Sequence, residues 1–350
     1  MRSSALQTKR NQQILAELVR TYIETGEPVS SRTIARKHAE ALSPATVRNI
    51  MADLEEEGFL YQPHTSAGRI PTAEAYRFFV EEIAPHATVD EKDREWIRRE
   101  LAAAATPEAL MERAGHVLAS VSKGLGIIIA PPLARTAVEH MRFLLLPDGR
   151  VLVVLIAKGG LARDKFIRPE SKFAQDELDR IAEYVNQRYS GWTLQAIRVE
   201  LAAQLTRDRE RYDLLARGAL ELCNPNLLAE DSDRQVYVEG AAQMAATPEF
   251  AGQDVVRELL ETIEERGRLI ALLSGCIEAP EPVHVELGVK EMSGAGKHLT
   301  LISAPYASAD QAQGTLGILG PMRMQYERVI TAVAFMSQLF NENLRGEERK

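Results

Sequence analysis

The sequence predicts a multidomain α+β protein that opens with a winged helix-turn-helix. Three amphipathic segments with capping residues at their ends follow one another before residue 59, and a short apolar run with a glycine-containing loop comes next. Strand-like runs then appear after residue 140 and return after residue 281, on either side of a helix-rich stretch, which is the order of a mixed α+β body. The chain has 350 residues, enough for about two or three cores, and its 45% hydrophobic and 26% charged content is that of a globular protein.

The first helix is predicted over about 8–25, with Ile14, Leu15, Leu18, Val19, Tyr22 and Ile23 on one face and Gly26 and Pro28 ending it. A short second helix fits Ser31 to about His38, capped by Ser30, with Ile34 and Ala35 turned inward. Ser43 caps the third, Pro44 takes its first turn and Gly58 closes it. Phe59-Leu60-Tyr61 and the loop HTSAGR supply a wing, and a fourth helix from near Thr72 to Pro85 buries Tyr76, Phe79, Val80 and Ile83. Val89 to Val121 is charged, alanine-rich and helical, as suits a connector. MRFLLLPDGRVLVVLIA then reads as two antiparallel strands around a Pro-Asp-Gly-Arg turn, and Asp176 to Arg188 as an amphipathic helix. A helix-rich region runs on to about Cys276, followed by the strands VHVELGV, LTLISAPY and GTLGILG and a last helix carrying Val329, Ile330, Val333, Met336, Leu339 and Phe340.

On a helical wheel for the third helix, Val47, Ile50, Met51 and Leu54 fall within about 50° of one direction and so pack inward. Ala45, Asn49 and Ala52 lie opposite, flanked by Thr46 and Arg48. Small residues allow close approach to a surface, Asn can pair bidentately with adenine and Arg with guanine, so Ala45, Thr46, Arg48 and Asn49 are the candidate base readers in a major groove. Arg32, Arg36, Lys37 and Ser43 are expected to contact the DNA backbone, together with His64, Thr65, Ser66, Gly68 and Arg69 from the wing. The acidic run Glu55-Glu56-Glu57 lies beyond the reading end, where phosphate would repel it. Charge is distributed to match: Met1–Arg48 carries eight Lys or Arg against four acids, net +4, leaving −12 for the rest of a chain whose total is −8.

Other function classes find little support. Cys223 and Cys276 have no CxxC spacing, no HExxH or Cys/His cluster occurs, and free buried thiols without a metal are expected. SGAGKHLT fails as a phosphate loop, since Glu291 stands where Gly is needed and His298 where Ser or Thr is needed. Lys158-Gly159-Gly160 and Asp148-Gly149 read as turns, and no GxSxG is present, so neither an enzyme nor a cofactor is expected. The polar start MRSSALQTKRNQQ and apolar runs far short of the roughly 20 residues that cross a bilayer predict a cytoplasmic protein with no membrane partner.

ETGEPVSSRTIA, SPATVRNIMADLEEEGFLYQPHTSAGRIPT and ILGPMRMQYERVITAV closely resemble the heat-inducible transcription repressor family HrcA. The resemblance covers both ends and, more loosely, the middle, with one departure at Ile50-Met51, where the family more often has Asp-Met. It implies a GAF-like α+β domain interrupted by a helix-rich dimerisation insert. It also implies a negative regulator of class I heat-shock (chaperone) operons that binds double-stranded DNA at an inverted-repeat operator, CIRCE, with the GroEL chaperonin maintaining its active form. The expected domains are 1–88 winged helix-turn-helix, 89–121 connector, 122–195 and 281–350 the two parts of the GAF-like domain, and 196–280 the insert. An inverted repeat requires a two-fold homodimer with recognition helices about 34 Å apart or a multiple of it. Val256, Leu259, Leu260 and Ile263, in a helix over Gln253 to Leu273, are candidates for that interface, with intradomain core as the alternative. A metabolite-responsive repressor that uses the body as ligand sensor is the other functional reading.

Overall fold

The computed structural model describes residues 6–344, apart from 7, 38–41, 66, 84–86, 133–134, 158–159, 161, 208–213, 224–234, 248–256, 258–260, 262–264, 275–281, 290–291, 293 and 308–312. Helix α1, Lys9–Thr25, starts where the Thr8 side chain accepts a hydrogen bond from the Asn11 amide and ends at Gly26 in the left-handed conformation. In α2, Ser31–Lys37, the Thr33 amide donates to Ser30 Oγ at 3.2 Å. Helix α3, Pro44–Glu56, takes its cap from Ser43, with Val47, Ile50, Met51 and Leu54 buried. Ile50 thus serves as core. Strands β1, Leu60–Tyr61, and β2, Ile70–Pro71, form the antiparallel wing, and α4, Ala73–Ile83, buries Tyr76, Phe79 and Val80 beneath it.

The body is built on a five-stranded antiparallel sheet in the order β7-β3-β10-β9-β8. Its strands are β3 Leu125–Ile129, β7 Val236–Glu239, β8 His284–Leu287, β9 Leu299–Ala307 and β10 Gln313–Pro321. On one face lie α6, Pro107–Ser122, and the last helix α12, Tyr326–Leu344, packed on Ile128, Ile302, Leu316 and Ile318. On the other, α11, Arg266–Ser274, covers Leu125, Ile127 and Ile129. Both faces are buried, which is why β3, β9 and β10 read as continuous apolar runs. The short helix α10, Ala241–Ala245, follows β7.

Two expectations are corrected here, and a third lies beyond the described residues. Residues 89–121 are no bare connector: besides α5, Glu91–Ala102, they hold α6, whose Met111, Ala114, Val117 and Leu118 are core of the body. The insert lies earlier than expected. Strands β4 Val138–Leu145, β5 Val151–Ala157 and β6 Ala162–Ile167 form a separate sheet, covered by α7 Gln175–Tyr189, α8 Leu194–Arg207 and α9 Leu214–Leu222 around their own core. This unit separates β3 from β7, and β7, inside the stretch expected to be insert, pairs with β3. Periodicity identifies a strand but not its partner, and the hairpin at 141–157 belongs to this separate sheet rather than to the sheet of the body. Finally, Val256, Leu259, Leu260 and Ile263 lie outside the described residues, while Leu269 and Leu273 farther along that stretch are fully buried in the body.

The terminal motif joins the DNA-binding unit to the body. Tyr326 packs on Tyr76 and Phe79 of α4, with ring centroids 5.9 and 6.4 Å apart. Arg20 reaches Glu327 at 2.8 Å, and Arg328 grips both oxygens of Asp93 at 2.7 and 2.8 Å. The Arg328 hydrogen bond holds the Asp93 carboxyl below the usual carboxylate range. The contribution of this pair is therefore fully present above about pH 4 and is lost as the pH falls through the depressed value.

At Gly126 the backbones of α6 and β3 touch: a Cβ there would run into the Gly115 carbonyl and lie 2.9 Å from the Ala119 nitrogen. Gly126→Ala is expected to lower unfolding stability by about 1–3 kcal/mol, read as a fall in the denaturation midpoint.

Candidate DNA-binding interface

The outward face of α3 carries Ala45, Thr46, Arg48 and Asn49, all exposed, with Ala52 half-buried behind them. The Ser43 hydroxyl accepts from the Thr46 amide at 3.1 Å and lies 2.9 Å from Thr46 Oγ1, so the cap fixes the first turn that would enter a groove. Arg32 and Arg36 are exposed on α2. The side chains of Arg32, Arg36, Arg48 and Asn49 make no ion pair or hydrogen bond among the described residues. Other cations of the same unit are engaged: Arg20 with Glu17 and Glu327, and Arg77 with Glu74. One face of the unit thus keeps hydrogen-bond donors open to a ligand.

Two residues expected on that face are placed otherwise. Lys37 turns back onto α1, its Nζ 3.0 Å from Glu24 Oε2 and 3.2 Å from Thr21 Oγ1. Arg69 sits at the root of the wing rather than its tip. Its side chain is 17% exposed, and Nε lies 2.7 Å from Glu55 Oε2 on α3. Its backbone bonds Val29 in both directions, at 2.9 and 2.8 Å, which adds the α1–α2 link to the wing as a third extended segment. Glu55 is accordingly the partner that ties the wing to the recognition helix, a role its place in an acidic run does not reveal.

Gly68 also has an internal reason. A Cβ there would lie 2.5 Å from the carbonyl carbon and oxygen of Val29, so the residue permits close packing of the chain on itself. His64 and Thr65 are exposed at the tip, and Ser66 lies outside the described residues. The loop is closed by Gln62, whose amide donates to the Thr65 and Ala67 carbonyls at 3.0 and 2.8 Å. At the base, Thr72 Oγ1 donates to the Gly58 carbonyl at 2.7 Å. Sequence reasoning missed Gln62 and Glu55; a side chain with two donors beside a loop rich in carbonyls was the available signal for Gln62.

No metal-binding group of His, Cys, Asp or Glu occurs among the described residues, and none of their helices is long and apolar enough to cross a membrane. Cys223 is fully buried, and burial pushes its thiol up to about 12, which makes it an inert core residue.

Residues 6–83 match the family model described as "Winged helix-turn-helix transcription repressor, HrcA DNA-binding", and residues 108–330 match "HrcA protein C terminal domain". The chain belongs to the HrcA family. This HrcA chain is a transcription repressor with a winged-helix DNA-binding domain. It is similar to the "Heat-inducible transcription repressor HrcA" of Geobacter sulfurreducens, 36% identical over 97% of this chain and 99% of the relative. That of Syntrophobacter fumaroxidans is 34% identical over 96% and 97%. A solved structure described as "a hypothetical protein at 2.2 A resolution" shares the fold, with a TM-score of 0.65 and 21% identity over 97% of this HrcA chain and 99% of that chain.

A double-mutant cycle on Arg69 and Glu55 is expected to give a coupling of about 0.5–1 kcal/mol in thermal or chemical unfolding, the range of partly exposed pairs. A coupling near zero would leave the wing root without its electrostatic tie.

Proposed function

We propose that this protein, as a homodimer, binds an inverted-repeat operator of the CIRCE type and prevents transcription of class I heat-shock (chaperone) operons until heat shock, with the GroEL chaperonin maintaining its active form. The observation that carries the DNA-reading part is the pair Arg48 and Asn49, exposed and uncommitted on α3 while neighbouring cations are paired within the protein. Arg48 offers a fork for guanine, Asn49 a donor and acceptor for adenine, and Ala45 room against a thymine methyl. Arg32 and Arg36 on α2 and His64 and Thr65 on the wing supply phosphate contacts on either side.

Two-fold pairing is supported by the exposed face of the insert. Leu144, Leu152 and Phe166 stand in register across β4, β5 and β6. Leu144 is 45%, Ile156 37% and Phe166 51% exposed, an apolar patch that a second copy would cover. The outer edge of β4 is already occupied. Asn186 bonds the backbone of Met141 in both directions, at 2.8 and 2.9 Å, and Gln175 accepts from the Leu145 amide and donates to the Phe143 carbonyl. Edge-to-edge strand pairing is therefore blocked at β4.

Asn49→Ala and Arg48→Ala are each expected to weaken operator binding by about 1–3 kcal/mol in a titration, with a smaller loss on random DNA. Equal losses on both DNAs would remove these residues from base reading. Arg69→Ala, by contrast, should flatten the salt dependence of binding less than Arg32→Ala or Arg36→Ala does. Phe166→Asp is expected to shift sedimentation toward a single chain, while a mass unchanged from wild type would exclude this face from the interface.

A further inference from the structure

We propose that a cleft at the junction of the DNA-binding unit and the body binds a small polyanion, a molecule carrying phosphate or clustered carboxylate groups. The cleft has a volume of about 880 Å³, within the roughly 300–1,000 Å³ of small-molecule sites. Four separate parts of the chain line it: the end of α1 at Glu24, the α6–β3 corner at Lys123, α10 at Gln243, and the β10–α12 loop and first turn of α12 with Arg323, Gln325 and Arg328.

The charges on its walls are uneven. Among the described residues that line it, Lys123, Arg323 and Arg328 stand with one carboxylate, Glu24, which Lys37 already holds at 3.0 Å. Arg328 is gripped by Asp93, and Arg323 donates to the Ile23 carbonyl at 3.4 Å, at the carboxyl end of α1. Lys123 makes no side-chain ion pair or hydrogen bond among the described residues. Gln243 and Gln325 add amide donors to the same walls.

The backbone of Lys123 is a second, independent observation. It ends α6 with φ 56° and ψ 25°, in the left-handed region, where helices ordinarily place glycine or asparagine. Among the described residues no other non-glycine residue has a positive φ. A glycine would relieve that conformation and delete the ammonium with it. A strained backbone that presents a free cation to a cleft of donors has the features of a functional site rather than of packing. Because the walls belong to both units, an occupant would brace one against the other; only that consequence rests on the DNA-binding reading.

The test is calorimetry on the full chain without DNA, titrating inorganic pyrophosphate and citrate separately. At least one probe is expected to bind saturably with a Kd below about 1 mM, at least about tenfold more tightly than it binds Lys123→Gly. Preference for pyrophosphate assigns phosphate, and preference for citrate assigns carboxylate. The Lys123→Gly variant should melt no lower than wild type without probe, since its backbone favours the conformation, and Lys92→Ala, away from the cleft, should bind as wild type does. Absence of saturable binding by both probes, or equal binding by wild type and Lys123→Gly, overturns the site.

Discussion

Tyr326 is the contact on which the arrangement of the molecule depends. Its ring is 1% exposed and lies against Tyr76 and Phe79 of the DNA-binding unit, while its hydroxyl donates to the Met322 carbonyl at 2.6 Å and lies 3.2 Å from Thr300 Oγ1. A buried phenol is stable only when its polar end is satisfied, and here both polar contacts belong to the body. The core around it runs without a break from Ile14 and Leu18 in α1 to Val333 and Phe340 in α12. The recognition helix is thus seated on the body, not tethered to it. A repressor that reads two half-sites needs such seating, because the separation of its helices is transmitted through the body from wherever the two copies meet.

Charge placement reinforces that geometry. Arg20, Lys37, Arg69 and Arg77 stabilise the unit internally, each beside a carboxylate, and Arg32, Arg36 and Arg48 do not. The division has an electrostatic consequence beyond the contacts themselves. With a net charge of −8 on the whole chain, the average field repels a polyanion, and within the DNA-binding unit Arg32, Arg36 and Arg48 remain open to one on α2 and α3. Approach to DNA is therefore oriented before contact, and binding should weaken with salt according to the number of phosphates that the open cations reach.

Local chemistry was legible in the sequence, and non-local pairing was not. Thr8, Ser30 and Ser43 announce helix starts because a cap is decided within four residues, and Gly26 and Gly149 announce a helix end and a hairpin turn for the same reason. The outward face of α3 followed from a single periodicity. The location of the insert did not, because whether Val151–Ala157 pairs with Val138–Leu145 alone or also joins β3 depends on contacts far along the chain. Arg69 illustrates the same limit at the site. From sequence it is a cation in a glycine-containing loop, and only the fold brings Glu55 from α3 within 2.7 Å of it. At Gly68 a missing Cβ signals close contact without naming the neighbour, which in the fold is Val29.

The proposed response to heat must be reconciled with the nature of the proposed interface. Apolar burial does not weaken on mild heating from room temperature, since its driving force there is largely entropic. A dimer joined through Leu144, Ile156 and Phe166 would therefore not come apart merely because that contact fades. What heat does favour is the conformational entropy of the element that presents the patch. The insert has a core of its own, separate from the one that holds α1 to α12, and its sheet is covered by helices on one face only. Such a unit can open without unfolding the rest. Opening would separate the copies and lower operator affinity through loss of the fixed helix spacing, with each winged helix still folded. It would also leave aliphatic and aromatic side chains exposed on a partly folded unit, the kind of surface a chaperonin engages. On the proposed function, heat release and chaperonin dependence would then share one physical origin, the stability of the insert, rather than two separate sensors.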